Sequence, residues 1–318
     1  MSSILSRFVI PDKPPPRLVL MGDPKAGKST FASSAPAVAM VMAEDGALGL
    51  DVPQLRVSTW RETLEAARAI ATEDHSYEWA AFDTANAIEA LCSQHVCDRD
   101  FDGRWLSSKG KEGYNAYGKG DKATAQEFRQ LLGLMDTMQQ KRGMGIILLC
   151  HVGLHKTANA LGADFVKFGG DLNKNTWALI AGWADQIGWA TREFRASIRE
   201  GEQRAKASAI GAAREIVFEG SPGLDAGCRA GYEMPERILL DWAEYEKQLS
   251  ADHIGDLVAQ ALAEIERVPD DIVGKVKARL GGKITAPKLR EIGKQNLNAL
   301  IGWLITQRNN SANNAQEA

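Results

Sequence analysis

Apolar and polar positions follow two rhythms along these 318 residues. Short, nearly unbroken apolar runs at 17–21, 37–43, 79–82 and 145–150 predict buried strands, the last being the most apolar. Between them, apolar residues recur every three or four positions at 60–72, 85–98 and 123–141, the spacing of helices that bury one face. Strand and helix alternate, which predicts an α/β core with a mainly parallel central sheet flanked by helices. Further apolar runs at 184–190 and 215–218 add strands, and the core is expected to close near Trp242.

The breaks in this rhythm suggest how the chain is divided. Pro14-Pro15-Pro16 cannot join a ladder and marks the end of an N-terminal arm, residues 1–16. The core then occupies 17–250. Helical patterns at 254–265, 271–280 and 288–305, interrupted by Gly281-Gly282 and Pro287, predict a small helical module over 251–308. The polar stretch 309–318 reads as a disordered tail. Two Gly- and Lys-rich stretches, 101–121 and 152–175, read as long loops, and long loops in compact domains are often functional.

Composition narrows the classes. With 44% hydrophobic and 25% charged residues, the chain reads as an ordinary globular protein. A net charge of -3 argues against a globally basic, nucleic-acid-coating surface, so any such contact must be local. Cys92, Cys97, Cys150 and Cys228 form no C-x-x-C pair, which suggests neither a zinc site nor a disulfide framework. No apolar run approaches a membrane span, and residues 1–7 lack a secretory core, so the expectation is a cytoplasmic protein without a membrane partner.

The first strand runs into Gly22-Asp23-Pro24-Lys25-Ala26-Gly27-Lys28-Ser29-Thr30, a complete Walker A loop. Its glycines let backbone amides turn inward around phosphates, Lys28 supplies a point charge, Ser29 offers a hydroxyl to Mg²⁺, and Thr30 starts a helix. Asp83 closes an apolar strand, where a Walker B carboxylate would hold Mg²⁺, although an Asp there could instead cap the next helix. Glu44, ending the second strand, could orient and deprotonate water, or be a solvated acidic end. His151, at the tip of the most apolar strand, could sense the terminal phosphate or serve as a structural hydrogen-bonding residue.

Cations and aromatics interleave in the first loop through Lys109, Lys111, Tyr114, Tyr117, Lys119 and Lys122. The second loop adds Lys156, Lys167 and Lys174, with Phe165 and Phe168. Lysines neutralise phosphates and tyrosines stack on unpaired bases, which is the chemistry of single-strand binding; the alternative is a pair of solvated surface loops.

Taken together, residues 22–30, Glu44, Asp83-Thr84, Gly113-Tyr114-Asn115-Ala116-Tyr117-Gly118-Lys119 and Cys150-His151 resemble the RecA/RadA-type core of phage-encoded ATP-binding proteins. Within that group the chain is most similar to minimal RecA-like single-strand annealing recombinases. The resemblance spans roughly residues 17–242 and implies a RecA-like P-loop NTPase fold, Glu44 as catalytic base, and two DNA-facing loops at 101–122 and 152–175. Related ring-forming ATPases carry a Lys-x-Arg pair that reaches a neighbour's nucleotide. Here Gly227 replaces the lysine, and Arg229 is the candidate finger, with a salt-bridging role as the alternative.

The expectation is therefore an ATPase using ATP and Mg²⁺ that binds single-stranded DNA, forms a homo-oligomeric ring or filament, and promotes annealing or recombination. A single-strand-binding protein is a possible partner. The alternatives are a helicase-like or helicase-loading ATPase, a nucleotide-gated binding protein with negligible turnover, and a small-molecule P-loop kinase. The kinase reading lacks the arginine-rich lid such enzymes need.

Overall fold

The computed structural model describes residues 13–44, 49–108, 110–159, 162–197, 206–251 and 253–316, with side chains described outside 193–197, 206–212, 253, 254, 256, 293–295 and 310–316. The chain divides into two compact units, 1–249 and 250–318.

The first unit is built on one large sheet. Its strands are β1 (Arg17–Gly22), β2 (Val38–Met42), β3 (Gln54–Arg56), β4 (Trp79–Asp83), β5 (Gly145–Thr157), β6 (Phe165–Gly170), β7 (Gln186–Ser197), β8 (Lys206–Val217), β9 (Gly227–Cys228) and β10 (Arg237–Leu239). They lie in the order β10-β8-β7-β1-β5-β4-β2-β3, with β6 pairing β5 and β9 pairing β7 off this path. The pairs among β7, β1, β5, β4, β2 and β3 are parallel; β8 and β10 continue antiparallel. The expected α/β class with a mostly parallel centre is what the chain forms.

Helices α1 (Lys28–Ser33), α2 (Trp60–Thr72), α3 (Ala85–Phe101), α4 (Lys119–Arg142), α5 (Lys174–Trp183) and α6 (Trp242–Ser250) cover the sheet. Because side chains alternate along a strand, each central strand feeds two cores. Val19 and Met21 of β1, with Ile146, Leu148 and Cys150 of β5, face the layer containing Phe128, Leu131 and Ile180. Leu18 and Leu20, with Ile147 and Leu149, face the layer of Phe31, Trp242 and Tyr245. Two-sided burial explains why these strands read as unbroken apolar runs.

The stretch 152–175 departs from its reading as a loop. β5 continues past the sheet and turns back as β6, pairing Leu154 with Phe168 and Lys156 with Val166. Val152 and Leu154, two apart, are the strand signal; the surrounding glycines obscured it. α5 occupies the end of the same stretch, its N-terminus capped by the Asn173 side chain, which accepts from the amides of Asn175 and Thr176.

The second unit holds α7 (His253–Ile265), α8 (Asp270–Arg279), α9 (Ala286–Glu291) and α10 (Gly293–Gln316). Val258, Ala261, Ile272, Val276, Leu289, Leu297 and Leu304 form its own core. α10 runs on through 309–316, the stretch whose polar composition predicts disorder.

Candidate nucleotide and nucleic-acid site

The carboxyl ends of β1, β2, β4 and β5 converge, and each delivers one element of the site. β1 leads directly into the loop 22–27, in which Lys25 (φ 64) and Gly27 (φ 103) take left-handed backbone conformations. Glycine is the residue that adopts this conformation without steric penalty. Gly27 precedes α1, and Lys28 opens that helix as a buried residue. Its ammonium donates to Gly22 O at 2.8 Å and Asp23 O at 2.9 Å, so the loop carbonyls hold the cation within the curve of the loop. Burial pushes the Lys28 ammonium down from its usual range, against the attraction of Asp83.

Asp83 ends β4, buried, and accepts a 2.6 Å hydrogen bond from Ser29 Oγ. Burial pushes its carboxyl up; the Ser29 bond pulls it down and neighbouring Glu44 raises it again. A hydroxyl and a buried carboxylate in contact, with a second carboxylate nearby, form an all-oxygen donor set suited to a hard divalent cation such as Mg²⁺. The cap that Asp83 could have supplied comes instead from Thr84, whose Oγ1 accepts from the Ala87 amide. The competing explanation for Asp83 is thereby removed.

Thr84 also orients the second carboxylate. Its hydroxyl donates to Glu44 Oε1 at 2.5 Å, and the same oxygen lies 3.5 Å from His151 Nε2. Glu44 follows β2, whose end is tied to β4 by the Ala43 amide bonding Asp83 O at 2.7 Å. His151 stands opposite Gly22 in the β1/β5 register. Its amide donates to Asn86 Oδ1 at 2.8 Å, while its Nδ1 is buried without a hydrogen-bond partner among the described residues. Sequence reasoning missed Asn86, whose signal was its place three residues after Asp83 in the first turn of α3.

Arg229 forms a salt bridge within the chain. Its guanidinium bonds Asp185 Oδ1 at 3.0 Å and Gly182 O at 2.8 Å. Asp185 also binds Arg17, which starts β1, and β1 is about 16 Å long, so this network lies at the far end of the strand from the loop. The carboxylate that holds Arg229 within the chain is 44 residues away in sequence and left no local trace.

The basic loops divide in the same way. Lys109 lies outside the described residues. Tyr114 is only 3% exposed, its hydroxyl lying 2.6 Å from Thr124 Oγ1, so it packs in a small core and is not free to stack on bases. Tyr117 is the opposite, 88% exposed with φ 52, a displayed ring on a backbone conformation that a non-glycine residue rarely takes. Lys119 pairs with Glu112 and Lys167 with Asp225, whereas Lys111, Lys122, Lys156 and Lys174 are exposed. Exposed Trp105 and Leu106 join Tyr117, and on the β5/β6 hairpin Leu154, Lys156, Val166 and Phe168 share one exposed face. Trp105, Leu106, Leu154 and Val166 were not foreseen.

No described helix is long and apolar enough to cross a membrane. In comparison with known proteins, residues 14–230 match the AAA domain family, AAA_24. No curated protein matches the sequence. Among solved structures, the RadB recombinase is similar with 12% identity and a TM-score of 0.36, over 64% of this chain and 80% of that one.

Proposed function

The chain belongs to the AAA domain family, and from that premise we propose that it binds and hydrolyses ATP with Mg²⁺ at residues 22–30 and binds single-stranded DNA on its exposed loop and hairpin. On this reading its outcome is annealing or strand pairing, carried out as a ring or filament, with a single-strand-binding protein as a potential partner. One observation carries the proposal. β5 passes without interruption from His151, 3.5 Å from Glu44, into a hairpin whose outer face combines Lys156 with Leu154, Val166 and Phe168. Nucleotide chemistry and a surface suited to unpaired bases are thus joined by a single strand.

Bound Mg²⁺ supplies charge neutralisation on the phosphates. Ser29 and Asp83 are the residues to hold it. Lys28 leaves its loop carbonyls for phosphate oxygens, exchanging neutral hydrogen bonds for charge-assisted ones. Glu44, fixed by Thr84, accepts the proton of the attacking water. His151 shares that carboxylate's edge, so a change of charge there reaches the start of the hairpin. Lys111, Lys122, Lys156 and Lys174 neutralise the DNA backbone, and Tyr117, Trp105 and Phe168 offer rings for bases.

The test is fluorescence anisotropy of a labelled single-stranded oligonucleotide, with and without ATP and Mg²⁺, for the parent, Lys28→Ala and Lys111/Lys156→Ala. Salt-sensitive binding that depends on nucleotide and is weakened in both variants is expected. A parent that binds no oligonucleotide at low salt in any nucleotide state refutes the DNA assignment.

A further inference from the structure

Three cations surround the loop, and its motif accounts for only Lys25 and Lys28. The third, Arg214, comes from β8, 185 residues beyond Ser29, and no sequence signal connects it to the site. Its Nη1 stands 2.6 Å from where a Cβ on Gly27 would lie, and Leu240 Cδ2 stands 3.2 Å from the same point. The Leu240 amide donates to Arg214 O at 2.8 Å, which fixes the two residues to each other. The left-handed backbone at Gly27 (φ 103) is what demands glycine; the guanidinium, a flexible side-chain end, lies directly over it, so Arg214 rests against the loop.

Arg214 has no counter-charge among the described residues. Its guanidinium has no hydrogen bond or ion pair with them, and its register partner on β7 is another cation, Arg192. A half-buried guanidinium that lies over Gly27 and stands in register with Arg192 would gain a partner from an anion bound at the loop.

The sheet order decides which part of that anion it meets. Asp83 on β4 and Glu44 beyond β2 lie to one side of β1, through β5. Arg214 on β8 and Leu240 beyond β10 lie to the other side, through β7. A nucleotide whose outer phosphates face the carboxylates turns its nucleoside end toward Arg214. Building on the nucleotide reading of residues 22–30, we propose that Arg214 is a further nucleotide-binding residue, contacting the inner phosphate while Leu240 offers an apolar surface to the base. The contact lies within one chain and is separate from any group supplied by a neighbour.

Calorimetric titration with ADP and with a non-hydrolysable ATP analogue tests this in the parent, Arg214→Ala and Arg214→Lys, alongside melting temperatures without nucleotide. Arg214→Ala is expected to lose roughly tenfold in affinity for both nucleotides alike, as loss of one charge-assisted contact predicts. Arg214→Lys recovers part of the loss; Arg214→Ala melts no lower than the parent, because a like-charge contact with Arg192 has been relieved, and Arg214→Lys, which keeps the charge, melts as the parent does. Should the alanine variant fail to melt cooperatively, Arg214→Lys and Arg214→Gln carry the same comparison. Unchanged affinity in the variants of a parent that binds overturns the inference and leaves the nucleotide reading intact. A loss confined to the triphosphate analogue also overturns it, since it moves Arg214 to the outer phosphate. A cooperatively melting parent that binds neither nucleotide overturns both readings.

Discussion

Ser29 Oγ donates to Asp83 Oδ2 at 2.6 Å, joining the first turn of α1 to the end of β4, two strands away in the sheet. Without a cation the hydroxyl partly satisfies a carboxylate that burial makes costly to ionise. Asp83→Asn is therefore expected to leave apo stability unchanged or raised, while Mg²⁺ no longer strengthens ATP binding. ATP titrations with and without the metal, compared with thermal melts, measure both.

Glu44 sits at the edge of the site, held by Thr84 and facing His151. Glu44→Gln keeps the shape and removes the base. The turnover number should fall roughly 10²–10⁴-fold, the usual contribution of a positioned general base, with nucleotide affinity retained. Steady-state ATPase assays paired with binding titrations separate the two quantities.

The two tyrosines of the first loop should respond in opposite ways. Tyr117→Ala is expected to weaken oligonucleotide binding by about 1–3 kcal/mol per stacked base and to leave the melting temperature alone. Tyr114→Ala should cost about 3–5 kcal/mol of stability, because it empties a packed pocket and removes the hydroxyl that bonds Thr124 and Ser93. Denaturant melts and anisotropy on the same preparations distinguish these outcomes.

Removing Lys111, Lys156 or Lys174 should each lower the salt dependence of single-strand binding by about 0.7 in log-log slope. Lys119 and Lys167 already neutralise Glu112 and Asp225, so their removal should change the slope less.

Asp185 binds Arg17, Arg229 and Gln139 at once. Burial alone would push its carboxyl up, but the Arg17 hydrogen bonds and charge hold it below its ordinary 3.8. A depressed carboxyl contributes stability in full above the ordinary value and loses it as pH falls through the lower, folded value. Asp185→Asn should cost about 3 kcal/mol at neutral pH and flatten the parent's loss of melting temperature as pH falls below 3.8.

Much of the nucleotide site was legible because its parts are local. A strand, a glycine loop and a helix follow one another directly, and Asp83, Glu44 and His151 each end an apolar run. What escaped depends on distant partners. The ion pair that holds Arg229 and the contact that brings Arg214 to Gly27 join residues far apart in sequence. Tyr114 reads as a displayed ring until Gly120 lets it pack inward, since a Cβ there would lie 2.4 Å from that ring. The β5/β6 hairpin was hidden by glycines, and β3, β9 and β10 are too short for a periodic signal.

β5 is 13 residues long and has no break between its buried half and its exposed half. From His151 to Thr157 the strand extends about 20 Å, and it is stiffened on one side by pairing with β6. Its buried half is clamped between β1 and β4, so a tilt there would be carried whole to the tip. Over about 20 Å, a rotation of a few degrees would shift the tip sideways by about 1–2 Å, on the scale of a covalent bond, enough to tighten or loosen a ring contact without any hinge.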